Sequence, residues 1–176
     1  MKTSIALIGF MGTGKTVVGK ALTEKLGKEF VELDPLIEHK AGKTIPEIFK
    51  QNGEVHFREL EIEVTKEVVK RKNAVIACGG GVVLNKINID RLGQECIIVY
   101  LTASPRVILK RTSSDENERP LLRRPNKALS IQELLRFRKP FYERAADLKI
   151  DTSKLDIDSV VAQIIEKVKE DESFTQ

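Results

Sequence analysis

Apolar residues along this chain fall into two kinds of run, and the two kinds alternate. Ile5–Ile8, Ala74–Cys78 and Ile97–Leu101 are unbroken apolar stretches, the pattern of strands covered on both faces. Phe30–Asp34 and Leu148–Thr152 alternate apolar with polar instead, which suits strands at the two edges of a sheet. Between them lie helix-like segments at about Lys15–Leu26, Pro35–Ala41, Pro46–Asn52, Glu54–Lys70, Ser104–Arg111, Ile131–Ala146 and Ile157–Glu170. Two helix starts carry a Ser/Thr-x-x-Glu capping box, Thr44 with Glu47 and Ser130 with Glu133, in which side chains satisfy otherwise unpaired N–H groups. Strands joined by helical crossovers predict a five-stranded parallel α/β sheet with helices on both faces. Such sheets bind ligands beyond the carboxyl ends of their strands, so the segments that follow each strand are where chemistry is expected.

Composition changes this picture little. A chain of 176 residues, 41% hydrophobic and 32% charged, reads as one ordinary globular domain spanning 1–176. No apolar run approaches the length of a membrane span, and Ser4–Gly9 ends in glycines rather than a cleavage site, so no leader is expected. Cys78 and Cys96 share no metal-like spacing and suit buried thiols in a reducing cytoplasm. The net charge of +4 raises nucleic acid as a partner. The lysines, however, are dispersed among glutamates on helix-like segments, as on a solvated, ion-paired surface. Only Arg111, Arg119, Arg123 and Arg124 gather in one loop-like stretch, and such a cluster suits a small phosphorylated ligand as well as a duplex.

The strongest chemical signal follows the first strand. Gly9-Phe10-Met11-Gly12-Thr13-Gly14-Lys15-Thr16 matches GxxxxGK[ST] between a strand and a helix, the context that separates a phosphate loop from a chance glycine-rich turn. Backbone N–H groups would surround the β-phosphate at the positive end of the helix. Lys15 would reach the β- and γ-phosphates, and the Thr16 hydroxyl would ligate Mg2+. No NKxD guanine signature accompanies the loop, which leaves a kinase for a small acceptor, although a protein that merely senses ATP would share it.

Acceptor chemistry is read further along. Asp34 stands at the end of the second strand, where its carboxylate can hold and polarise a hydroxyl; a helix cap before Pro35 is the plainer role, and the two are compatible. Gly79-Gly80-Gly81 implies close approach of another group to the backbone, or a tight turn. Arg138 falls in the middle of the apolar face formed by Ile131, Leu134, Leu135, Phe141, Tyr142 and Ala145. An inward guanidinium is costly unless an anion meets it. Arg58 could likewise face a cleft with Glu61 holding it, and a pair of arginines there suits bidentate capture of a carboxylate. Structural ion pairs are the alternative for both. Thr112–Pro125 reads as a lid, with Arg119 as its charge-neutralising arginine.

The set resembles the shikimate kinases, relatives of the nucleoside monophosphate kinases, over nearly the whole chain. The resemblance rests on Gly9–Thr16, Glu32-Leu33-Asp34, Phe57-Arg58-x-x-Glu61, Gly79-Gly80-Gly81, Arg119-Pro-Leu-Leu and Arg138-Lys-Pro-Phe-Tyr142. It implies a three-layer P-loop kinase fold with sheet order 2-3-1-4-5 and a short lid. It also implies a cytoplasmic, monomeric enzyme using ATP, Mg2+ and shikimate, with neither nucleic acid nor membrane as partner. By the family's motif, Asp34, Arg58, Gly80 and Arg138 would bind shikimate. Gly12, Thr13, Gly14, Lys15, Thr16, Val17 and Arg119 would bind ATP, Thr16 would hold the metal, and Lys154 would lie near the adenine. One departure stands out: Glu32 occupies the place where the family usually has the first aspartate of a DxD pair.

Overall fold

The computed structural model describes residues 1–113 and 126–175. Five strands form a sheet in the order β2-β3-β1-β4-β5: β1 (Ser4–Ile8), β2 (Glu29–Glu32), β3 (Ala74–Ala77), β4 (Cys96–Thr102) and β5 (Leu148–Asp151). Every pairing is parallel, as crossover connections require. The three unbroken apolar runs are the three inner strands, and the two alternating segments lie at the edges.

Alternation of side chains divides the core between the two faces of the sheet. Ile5, Leu7, Val75, Ile97 and Val99 pack with Val18 and Leu22 of α1 (Lys15–Leu26) and with Val160 and Ile164 of α7 (Ile157–Lys169). Ala6, Ile8, Ile76, Ile98 and Tyr100 face the other way. They are covered by α2 (Leu33–Ala41), α3 (Ile45–Val68), α4 (Lys86–Glu95), α5 (Pro105–Ser113) and α6 (Lys127–Ala145). Cys78 and Cys96 are free and buried, at the end of β3 and the start of β4. Burial is the main cause that raises both thiol pKa values, that of Cys96 to about 12. Among the described residues no helix is long and apolar enough to cross a membrane.

The expected break between two helical segments is real: α3 runs through Gly53, whose φ of 82° and ψ of 172° interrupt it. The Thr44–Glu47 capping box is formed. The one expected at Ser130 is not. There the helix begins four residues earlier than expected, at Lys127, capped by Asn126, whose Oδ1 accepts from Leu129 N at 3.0 Å. Ser130 lies inside the first turn and donates back to the Asn126 carbonyl. Helix α4 has no counterpart among the expected segments. Its signal was Asn85, whose side chain accepts from Ile87 N, together with the need for a crossover between parallel strands β3 and β4.

Candidate active site

The phosphate loop joins β1 to α1. Gly9 is fixed by crowding: a Cβ there would lie 2.3 Å from the Leu101 carbonyl oxygen. Gly14 caps α1 in a left-handed conformation, φ 92°, and α1 carries no acidic residue in its first turn to compete for an anion. Lys15 Nζ donates to the carbonyls of Gly9 and Phe10, both at 2.9 Å. The Thr13 side chain is buried, its hydroxyl turned inward to the Phe10 carbonyl, so that hydroxyl does not face the cleft.

Thr16 donates its hydroxyl to Glu32 Oε1. The longer acid at the departed position therefore reaches the same hydroxyl that was expected to hold the metal. Asp34 is placed differently from the expectation. β2 stops at Glu32 and α2 starts at Leu33, so Asp34 lies in the first helical turn instead of on the strand. Pro35 follows within that turn, where a missing N–H costs nothing. The carboxylate at the helix N-terminus is favoured by the dipole.

A cleft of about 1070 Å³ extends from the loop across Asp34 to the three glycines and both arginines. Each glycine abuts a different charged group. A Cβ on Gly79 would stand 3.0 Å from Asp34 Oδ1 and 3.1 Å from Glu61 Oε2. On Gly80 it would stand 3.6 Å from Arg138 Nη1. On Gly81 it would fall 2.4 Å from both terminal nitrogens of Arg58. Close approach, rather than unusual torsions, explains Gly79 and Gly81, whereas a Cβ on Gly80 would meet only ordinary contacts.

Arg58 donates from Nη1 to Glu61 at 3.1 and 3.3 Å and from Nη2 to Glu54 at 3.1 Å. Glu61 is only 1% exposed. Burial raises its carboxyl pKa, against the charge and hydrogen bond of Arg58, which lower it. Arg138 is 2% exposed and stands over the Phe10 ring. The buried Nε atoms of both arginines have no hydrogen-bond partner. Two guanidiniums thus line one cleft, a charge that favours an anion there.

Three contacts escaped the sequence reading. Glu54 pairs with Arg58 across one helical turn. Tyr142 donates its hydroxyl to the Gly80 carbonyl. Arg111 lies in the last turn of α5 and bridges the Gly12 carbonyl at 3.1 Å to Thr152. Thr112 and Ser113 also belong to α5, so these two positions of the expected lid are helical, and its remainder, 114–125, lies outside the described residues. Arg119, Arg123 and Arg124 lie outside the described residues. Lys154 is exposed in the turn after β5 and does not line the cleft.

A glycine-rich phosphate loop on a 2-3-1-4-5 parallel sheet, opening on a basic acceptor cleft, defines a P-loop phosphotransferase. The model of the shikimate kinase family matches residues 11–169. A shikimate kinase of Thermodesulfovibrio yellowstonii is 47% identical over 164 residues, 93% of this chain and 94% of that one. One from Caldanaerobacter subterraneus is 45% identical over 162 residues, 92% of this chain and 94% of that one. Among solved structures, shikimate kinase from Acinetobacter baumannii in complex with shikimate superposes with a TM-score of 0.92 at 39% identity, covering 98% of this chain and 96% of that one. The chain belongs to the shikimate kinase family.

Proposed function

We propose that the chain transfers the γ-phosphoryl group of ATP to the 3-hydroxyl of shikimate, giving shikimate 3-phosphate and ADP in aromatic amino-acid synthesis. The observation that carries the reading is the pair of arginines, Arg58 and Arg138, lining a cleft that begins at the phosphate loop. In this reading the backbone of Gly12–Val17 cradles the phosphates, Lys15 leaves its loop carbonyls for the β- and γ-oxygens, and Arg119 closes over the transferring group. Arg58 and Arg138 grip the acceptor carboxylate, with Gly80 giving the backbone room to approach. Asp34 accepts a hydrogen bond from the attacking hydroxyl and takes its proton late in the transfer. Lys154 is assigned to the adenine side on the family pattern alone.

The residues fit a magnesium ion. Among the described residues no cluster of three or more acidic, histidine or cysteine side chains could hold a metal by itself. Thr16 and Glu32 nevertheless converge at the loop, and magnesium in such enzymes takes one or two protein oxygens and completes its shell with phosphates and water. When bound, it neutralises charge on the phosphate oxygens. Positioning and electrostatics then dominate the rate, because the transition state of phosphoryl transfer is loose. The free thiols support a reducing, cytoplasmic setting. On the family pattern the chain is assigned as a single-domain monomer whose partners are small molecules, neither nucleic acid nor membrane.

The test is ADP release from Mg-ATP with shikimate, gluconate and AMP offered separately. Release that depends on shikimate alone is expected. Release with gluconate or AMP instead would keep the donor site and discard the roles of Arg58 and Arg138. No release with any of the three, from folded protein that binds ATP, would favour an ATP-sensing protein.

A further inference from the structure

Tyr142 heads the largest fully buried side chains of the described core, yet it carries a hydroxyl that must find a partner there. It donates to the carbonyl of Gly80, 62 positions away. The Arg138 guanidinium, one turn earlier on α6, stands beside that glycine, its Nη1 3.6 Å from where a Gly80 Cβ would be. Burial holds the hydroxyl's pKa above the ordinary phenol range, although the charge of Arg138 pulls it down. It is therefore a donor throughout the neutral range.

The Gly80 carbonyl and the Gly81 N–H belong to one peptide unit. That unit is trans and planar, so its two ends point in opposite directions. Whatever fixes the carbonyl also fixes the N–H that faces away from α6. The torsions on either side of the unit belong to glycines, and no Cβ restricts them. The orientation of this peptide is accordingly set by the groups that hold its ends.

We propose that Tyr142 is a positioning residue for the acceptor, its hydroxyl locking the Gly80–Gly81 peptide in place beside the Arg138 guanidinium. The inference rests on the acceptor role proposed above for Gly80 and Arg138. Ring and hydroxyl are separable in experiment. Tyr142 stacks on Tyr100 with centroids 5.0 Å apart and planes at 20°, and phenylalanine retains that packing.

Full-length wild type, Tyr142→Phe and Tyr100→Phe are compared for ADP release at varied shikimate and at varied ATP. Tyr142→Phe is expected to raise the KM for shikimate about tenfold, the effect of leaving one buried carbonyl without its donor, with the KM for ATP within about twofold. Tyr100→Phe leaves both unchanged. In an Arg138→Lys background the same substitution has a smaller effect, because the two groups act together. An unaltered KM for shikimate in Tyr142→Phe, or equal rises for both substrates, would overturn the inference while leaving the assigned reaction intact. A wild type whose ADP release ignores shikimate overturns both. The chain has only two tyrosines, so 3-fluorotyrosine labelling gives a reading that needs no folded Tyr142 variant. The resonance that remains in Tyr100→Phe is expected to move on adding shikimate. An unmoved resonance, in protein shown by calorimetry to bind shikimate, would also overturn the inference.

Discussion

Replacing Gly81 with alanine probes the acceptor cleft with one methyl group. Gly81 has φ −101° and ψ 2°, a conformation open to L-residues, so the change introduces no backbone strain. The new Cβ would stand 2.4 Å from Nη1 and Nη2 of Arg58 and 2.6 Å from its Cζ. Reaching ordinary van der Waals contact requires the guanidinium to retreat by about 1 Å. A solvated arginine would swing aside at little cost, but this one is fastened to Glu61 and Glu54. Its retreat strips a carboxylate that is 1% exposed of its partner, which is among the costlier changes a protein interior can undergo.

Misplacing a substrate-positioning group by about 1 Å costs about 10²-fold, equivalent to about 2.8 kcal/mol. Arg58 is assigned to the acceptor carboxylate, away from the transferring phosphoryl group, so the loss should fall on the KM for shikimate more than on kcat. Overpacking should also remove about 1–3 kcal/mol of stability. Neighbouring glycines calibrate the effect. Gly79→Ala meets Asp34 and Glu61 at 3.0 and 3.1 Å, whereas Gly80→Ala meets nothing closer than 3.6 Å. The expected order of damage is therefore Gly81, then Gly79, then Gly80. A folded Gly81→Ala enzyme whose KM for shikimate stays within twofold of wild type would refute the reasoning, as would greater damage from Gly80→Ala.

Three further outcomes are expected. Lys15→Met should lower ADP release by at least about 10³-fold with an unchanged circular dichroism spectrum; retention of a tenth of the wild-type rate would remove Lys15 from the phosphate site. Glu32→Gln should raise the magnesium concentration for half-maximal rate by about 10–100-fold, and an unshifted magnesium titration would separate Glu32 from the metal. Because burial raises the folded-state pKa of Glu61, its contribution to stability is full below the unfolded carboxylate value, about 4.3. That contribution is lost as pH rises through the folded value. The melting temperature of Glu61→Gln relative to wild type should therefore climb with pH across that window, and a difference independent of pH would contradict the assignment.

What the sequence disclosed was local or periodic. Unbroken apolar runs identified inner strands because a strand covered on both faces has no polar side to show. Arg138 was legible because it broke an apolar helical face, and Arg58–Glu61 because partners three residues apart meet on one helix. The sheet order came from the family resemblance, since pairing order leaves no mark in periodicity. Asp34 was placed on the strand because alternation continues through Leu33, although the chain already turns helical there. The boundary at Ser130 was missed because Asn126 offers an equally good cap without a glutamate three residues on. Tyr142 read as one more apolar-face residue; its hydroxyl partner lies 62 positions away. The Arg111–Gly12 contact spans 99 positions, and no spacing rule reaches that far.

The two buried thiols turn the sheet into its own clock. Only a thiolate attacks a disulfide reagent, and burial keeps Cys78 and Cys96 protonated near neutrality. At 3% and 0% exposure, neither sulfur meets a reagent until the surrounding structure opens. Labelling therefore counts openings rather than chemistry. Cys78 adjoins the glycine run and Cys96 begins an inner strand. Unequal labelling rates would time the loosening of the cleft floor apart from the parting of the sheet, and equal rates would mean that cleft and sheet come undone in one event.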